Sequence, residues 1–194
     1  MPMSYKSRFL GLSLALLQAL SGCTAVTSVT HPGTIEENYG ERTLGTRVED
    51  ESIETKIAHN LASTDARLGD ARINVDSFNG VVLLTGQVPS QELKAMAERV
   101  AGQVRNVRRV HNELAIAANL PAGERLADTW LHTRVRTALV ANEAIDSSRL
   151  RIVTENDSVY LMGIVSRSEA DRIVAAVRNT GGMRRIVKVF DYLD

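Results

Sequence analysis

The sequence predicts an α+β protein made of two tandem small αββαβ sandwiches, each a three-stranded sheet covered by two helices. Three observations predict it. Residues 72–86 align without gaps on residues 149–163 at an offset of 77, flanked by matches at offsets of 78 upstream and 76 downstream, so the chain contains an internal repeat of roughly 70 residues. Within each copy the apolar period changes in the same order, from a helical stripe to β-rich runs and back. Between the first two β-rich runs lies Asn79-Gly80, the preferred pair for a tight hairpin because both central residues need positive φ.

The elements follow in order. Ile53, Ile57 and Leu61 lie at i, i+4 and i+8, placing one stripe on a helix for which Asp50 is the expected N-cap. Residues 72–76 and 81–85 are the hairpin strands, and Leu93, Ala97 and Val100 mark the inner face of a second helix. A final strand is expected over 107–116. In the second copy Leu131, Val135, Ala138 and Leu139 form the first stripe. Ser166 and Glu169 make a capping box ahead of Ile173, Val174 and Val177, and 185–192 is the last strand. The expected domains are therefore 48–116 and 127–194, joined by a linker at 117–126 that contains Leu120-Pro121-Ala122-Gly123.

The N-terminus sets the expected compartment. Lys6 and Arg8 precede an apolar run reaching Leu20, the pattern of a secretory signal and too short to span a bilayer comfortably. Leu20-Ser21-Gly22-Cys23 then looks like a bacterial lipobox, and Cys23 is the only cysteine in the chain. The expected reading is a signal peptide over 1–22, a diacylglycerol thioether on Cys23, and a flexible tether over 23–47 that is rich in Thr, Gly and charge. About 170 residues remain after cleavage, with no apolar stretch of transmembrane length.

Composition excludes several functions. The 23 basic and 23 acidic side chains leave no basic excess for a nucleic-acid partner. His31, His59, His111 and His132 are scattered without metal-ligand spacing, and no Gly-rich phosphate loop or nucleophile elbow occurs. No catalytic residue, metal or cofactor is expected, and a monomer is.

Val82-Leu83-Leu84-Thr85-Gly86-Gln87-Val88 and Val159-Tyr160-Leu161-Met162-Gly163-Ile164-Val165 share a V-x-L-x-G-x-V signature. With the helix-strand-strand-helix-strand order and the Val107-Arg108-Arg109-Val110 ending, they resemble the BON domain. Two such domains behind a lipobox resemble the dual-BON outer-membrane lipoproteins, most specifically through Asp128-Thr129-Trp130-Leu131-His132-Thr133-Arg134-Val135-Arg136. The resemblance implies anionic phospholipid binding, support of outer-membrane integrity, and a place at the division site. Thr24 after the cysteine, in place of Asp, resembles the outer-membrane sorting signal, with the body of the protein facing the periplasm.

The residues offer a site of their own. At 100° per residue, Trp130, Arg134, Thr137 and Ala141, with Thr133 beside them, fall on a face away from the Leu131 stripe. Tryptophan suits a membrane interface and arginine pairs with phosphate. The alternative use of Trp130 is packing on the other domain or the linker. The matching positions of the first copy are Ser52, Lys56, His59 and Ser63, so the wedge is absent there. Residues 127–194 carry ten basic and nine acidic side chains, so any attraction to an anionic membrane must be local, as at Arg134 with Arg136 or Arg184 with Arg185. The alternative for Arg184-Arg185 is a basic strand edge. Two functions stay open: a phospholipid-binding module, or an envelope scaffold that grips a protein or peptidoglycan partner.

Overall fold

The computed structural model describes residues 39–119 and 122–194. The expected signal peptide, Cys23 and the tether as far as residue 38 lie outside them, as do Leu120 and Pro121 of the linker.

Helix α1 (Leu44–Thr64) begins inside the stretch expected to be tether. Its N-cap is Thr43, whose hydroxyl accepts from the Thr46 amide at 3.1 Å, and not Asp50. Asp50 sits two turns inside the helix because it has another task, described below. Ile53, Ile57 and Leu61 are buried as the period requires. Asp65 then ends α1 and caps a one-turn helix α2 (Ala66–Asp70) through the Arg67 amide, an element too short to show an apolar period in the sequence. Strands β1 (Arg72–Phe78) and β2 (Val81–Val88) pair antiparallel, and Phe78 faces Val81 across the turn. Asn79 and Gly80 have φ of 53° and 72°, the left-handed pair a two-residue hairpin demands. Helix α3 (Gln91–Gly102), capped by Ser90, crosses back over the sheet, so the next strand runs parallel to β2.

That strand is shorter than expected and is broken. β3 (Arg109–Asn112) and β4 (Ala115–Ile116) both pair with β2. Between them the Leu114 side chain turns into the core, and its amide donates to Asn112 Oδ1 at 3.3 Å. The second domain repeats the plan with α4 (Ala122–Val140), β5 (Leu150–Glu155), β6 (Ser158–Val165), α5 (Arg167–Thr180) and an unbroken β7 (Arg185–Tyr192). Helix α4 starts within the expected linker. Its hairpin turn is Asn156-Asp157, again with both φ values positive, at 49° and 57°.

The signature glycine has a steric cause. Gly86 lies at φ 115°, and a Cβ there would run into the Arg72 carbonyl on the neighbouring strand. At Gly163 a Cβ would meet Leu150 Cδ2 at 2.7 Å.

Each first helix is pinned to its own hairpin by a buried aspartate. Asp50 accepts from the Asn79 and Gly80 amides (both 2.9 Å), Ser77 Oγ (2.7 Å) and Arg42 (2.7 Å). Asp128, its counterpart, accepts from the Asn156 and Asp157 amides at 2.8 and 3.0 Å. Hairpin amides that would be orphaned beside a helix are thereby satisfied.

Each sheet buries its helix-covered face in a core of its own, around Ile57, Leu84 and Leu93 in the first domain and Val135, Leu161 and Ile173 in the second. A third core lies where the two sheets pack on each other: Phe78, Val81 and Leu83 meet Tyr160, Met162, Ile164 and Val189. The result is four layers, helix, sheet, sheet, helix. β2 and β6 are consequently buried along their whole length on both faces. The polar rim of this inner core is closely paired. Buried Glu155 of β5 accepts from Arg72, Gln87 (2.6 Å) and Asn74 (3.3 Å) of the first domain. Arg185 reaches Glu113 (2.7 Å) and Tyr160 Oη (2.9 Å), while Asp191 accepts from Arg108 (2.6 Å) and Asn79 (2.9 Å). Burying a carboxylate is costly unless its lone pairs are filled, and here they are.

Candidate functional site

The site is the outer face of α4. Leu131, Val135 and Leu139 are buried beneath the helix, and the Asp128 clamp ties its second turn to the hairpin, with Thr154 Oγ1 donating to the Asp128 carbonyl at 3.0 Å. Whatever lies opposite those anchors must face solvent. Trp130 is 71% exposed, Leu126 63% and Val140 63%, and Thr133, Arg134, Thr137 and Ala141 are exposed as well. With that exposure Trp130 does not pack on the first domain.

At 100° per residue, Leu126, Trp130, Thr133, Thr137, Val140 and Ala141 form one stripe about 22 Å long. The sequence reading found its middle but not its ends. Leu126 lies in the stretch expected to be linker, and Val140 falls one step past the face drawn from Trp130; the 3–4 spacing extended in both directions includes both. The two threonines are less polar than their type suggests. Thr133 Oγ1 donates to the Thr129 carbonyl at 3.0 Å and Thr137 Oγ1 to the Thr133 carbonyl at 2.9 Å. Their hydroxyl protons are spent inside the helix, so the stripe offers mainly carbon to its surroundings.

Charge flanks the stripe on both sides. Arg134 lies on one edge, its guanidinium against Gly182, where the absence of a Cβ leaves room. Arg125 and Arg136 lie on the other edge by the same helical geometry. Residues 125–142 contain one acid, Asp128, and it is buried and occupied by hairpin amides. His132 lies beside Arg136. Burial first, and then the Arg136 charge, lower its pKa, so the imidazole is neutral near pH 7.

The equivalent face of α1 is a contrast built into the molecule. Ser52, Lys56, His59 and Ser63 occupy the matching places, and residues 47–64 carry Glu49, Asp50, Glu51 and Glu54. Its exposed large apolar side chains are Leu44 and Val48, at its first turns.

Among the described residues no helix is long and apolar enough to cross a membrane, and no group of three His, Cys, Asp or Glu side chains is placed to hold a metal. Arg184 and Arg185 differ in role: Arg184 Nη2 donates to the Asn156 carbonyl at 3.2 Å, while Arg185 serves the interdomain rim.

Comparison with known proteins gives this arrangement a family. The BON domain matches residues 49–118 and 127–194. The chain is 33% identical over 178 residues to the outer membrane lipoprotein DolP of Haemophilus influenzae, covering 90% of this chain and 91% of that one. It is 35% identical over 153 residues to a 21 kDa hemolysin of Actinobacillus pleuropneumoniae, covering 78% of each. It is 25% identical to the osmotically-inducible protein Y of Escherichia coli over 74% of this chain and 72% of that one. The chain belongs to the BON-domain family, as a DolP-type protein of the bacterial envelope.

Proposed function

We propose that the protein is a lipoprotein anchored to the outer membrane through acylated Cys23, facing the periplasm, which binds anionic phospholipid through the outer face of α4. In this reading it supports outer-membrane integrity and acts at the division site. One observation carries the proposal: the apolar stripe from Leu126 to Val140, centred on exposed Trp130 and edged by Arg125, Arg134 and Arg136. An amphipathic helix of that kind lies in the plane of a membrane interface, its carbon in the acyl boundary and its arginines among the phosphates. The acyl chains already supply attachment, so the helix supplies orientation and lipid selectivity at high effective concentration.

Trp130 is the only tryptophan, which makes its fluorescence a clean reporter. Vesicles of phosphatidylcholine with phosphatidylglycerol should shift its emission to the blue, and phosphatidylcholine alone should do so weakly. A shift that appears only with envelope extract favours the scaffold reading, in which the same face grips a protein or peptidoglycan. Equal vesicle sedimentation of wild type and Trp130→Ala would refute the lipid reading.

A further inference from the structure

Beside the α4 face, on the Arg136 edge, is a cavity of about 420 Å³. Arg42, Arg151, His132, Arg136, Ser147 and Ser148 line it, and Val140 of the apolar stripe forms part of its rim. No carboxylate is among the lining residues. The size is within the range of small-ligand sites, about 300–1,000 Å³. Its polar lining is guanidinium, imidazole and hydroxyl, beside the apolar Val140, Leu150 and Ile152.

Two of the arginines are held in place by the first domain. Arg42 precedes α1; its guanidinium lies 3.7 Å from the centre of the Phe78 ring and 2.7 Å from Asp50. Arg151 of β5 donates to the Ser77 carbonyl at 3.0 Å and pairs with Glu54, with Asp76 3.6 Å away. Those carboxylates sit behind the arginines and hold them without lining the cavity. The acid nearest the serines, Asp146, is engaged by Ser148 Oγ at 2.6 Å and by Arg149 at 3.1 Å. Arg136, by contrast, forms no hydrogen bond or ion pair among the described residues. It is the uncommitted cation of the group, and neutral His132 adjoins it as a ring N–H donor.

We propose that this cavity is a phosphate-group pocket, assembled by both domains and opening onto the α4 face. Arg136 supplies the bidentate contact, the His132 ring N–H and the Ser147 hydroxyl supply further donors, and Arg42 and Arg151, each held by a carboxylate of the first domain, supply fixed guanidinium N–H groups. The ligand is a phosphate ester or phosphate ion, carried either by a lipid headgroup or by a soluble molecule. The lipid form of the proposal rests on the function proposed above, while the pocket itself does not.

The test follows the His132 ring resonances of the full chain in a neutral, phosphate-free detergent. Inorganic phosphate, glycerol 3-phosphate and short-chain phosphatidylglycerol are titrated separately. A saturable shift at His132, weakened about tenfold or more in Arg136→Gln, supports the pocket. A response to all three assigns it to phosphate as such, and a response to the short-chain lipid alone assigns it to a membrane headgroup. No saturable shift with any of the three, or equal titrations of wild type and Arg136→Gln, overturns it. Trp130→Ala separates the two ideas. Its loss of vesicle binding with an intact His132 response leaves the pocket standing, and vesicle binding with a silent His132 leaves only the α4 face.

Discussion

Helices α1 and α4 occupy the same place in the repeat and are the same on one side only. Inward, both carry an apolar stripe at the same spacing and a buried aspartate that clamps the hairpin. Outward, α4 presents Trp130 on an apolar stripe edged by arginine, while α1 presents Ser52, Lys56 and His59 among glutamates. The inner faces are constrained by packing, where a lost methylene or an orphaned amide is felt directly. Solvent imposes no such demand, so an outer face that stays apolar over four turns needs another cause. The membrane contact proposed for the second domain, and not for the first, is such a cause.

The largest expected effect tests the shared inner side. Asp50→Ala leaves two hairpin amides, Ser77 and Arg42 without their acceptor and should cost about 3 kcal/mol of stability in urea denaturation. The same position gives a pH dependence. Burial raises the Asp50 pKa, but the hydrogen bonds from Gly80, Ser77, Arg42 and Asn79 together outweigh it and hold the group below its ordinary value. A depressed carboxyl stabilises the fold above its unfolded pKa of about 4 and loses that contribution as pH falls through the folded value. Stability should therefore drop on the acid side, below about pH 4, and Asp50→Asn should flatten that part of the profile. A wild-type profile no steeper than that of Asp50→Asn there would contradict the clamp.

The next effect tests the outer side. Trp130→Ala should weaken binding to phosphatidylglycerol vesicles roughly 30-fold, as expected for losing about 2 kcal/mol of aromatic burial, with no more than about 0.5 kcal/mol change in folding stability. A large stability loss would mean that Trp130 serves the fold. The reciprocal change, Ser52→Trp, sharpens the comparison. With Glu49, Glu51 and Glu54 on the same helix, it should raise vesicle affinity by less than about threefold at low salt. A gain matching the Trp130 loss would show that the tryptophan acts alone, without its arginine edges. The smallest effect is at Thr137. Because its hydroxyl already bonds within the helix, Thr137→Val should leave vesicle affinity within about twofold.

Much of this was readable in the sequence, for physical reasons that differ by element. Helical stripes and the Asn79-Gly80 turn are local, and the exposure of Trp130 follows from its angle to Leu131 and Val135. The role of Asp50 was misread because a helix-breaking side chain near an apolar stripe has the same signature whether it caps the helix or clamps a distant turn. The break before Leu114 leaves no local trace, since it answers a packing demand set by the rest of the core. The inner core between the sheets does leave a trace in the sequence. Val81-Val82-Leu83-Leu84 and Val159-Tyr160-Leu161-Met162 do not alternate, and an unbroken apolar run is what a strand buried on both faces requires. The pairing of Glu155 with Arg72, Asn74 and Gln87 was out of reach, because it joins residues about 70–80 positions apart across a surface the repeat itself does not specify.

The sheet-to-sheet core has a consequence for how the two copies came to coexist. A single copy excised from the chain would show water Phe78, Val81 and Leu83, or Tyr160, Met162 and Ile164, on an open sheet face. A patch of that kind drives self-association, so each half serves as the other's cover. The duplication unit visible in the sequence is thus a unit of ancestry and not of independent solubility. Substitutions on the inner face of one half are constrained by the other, while the outer helical faces are free to diverge.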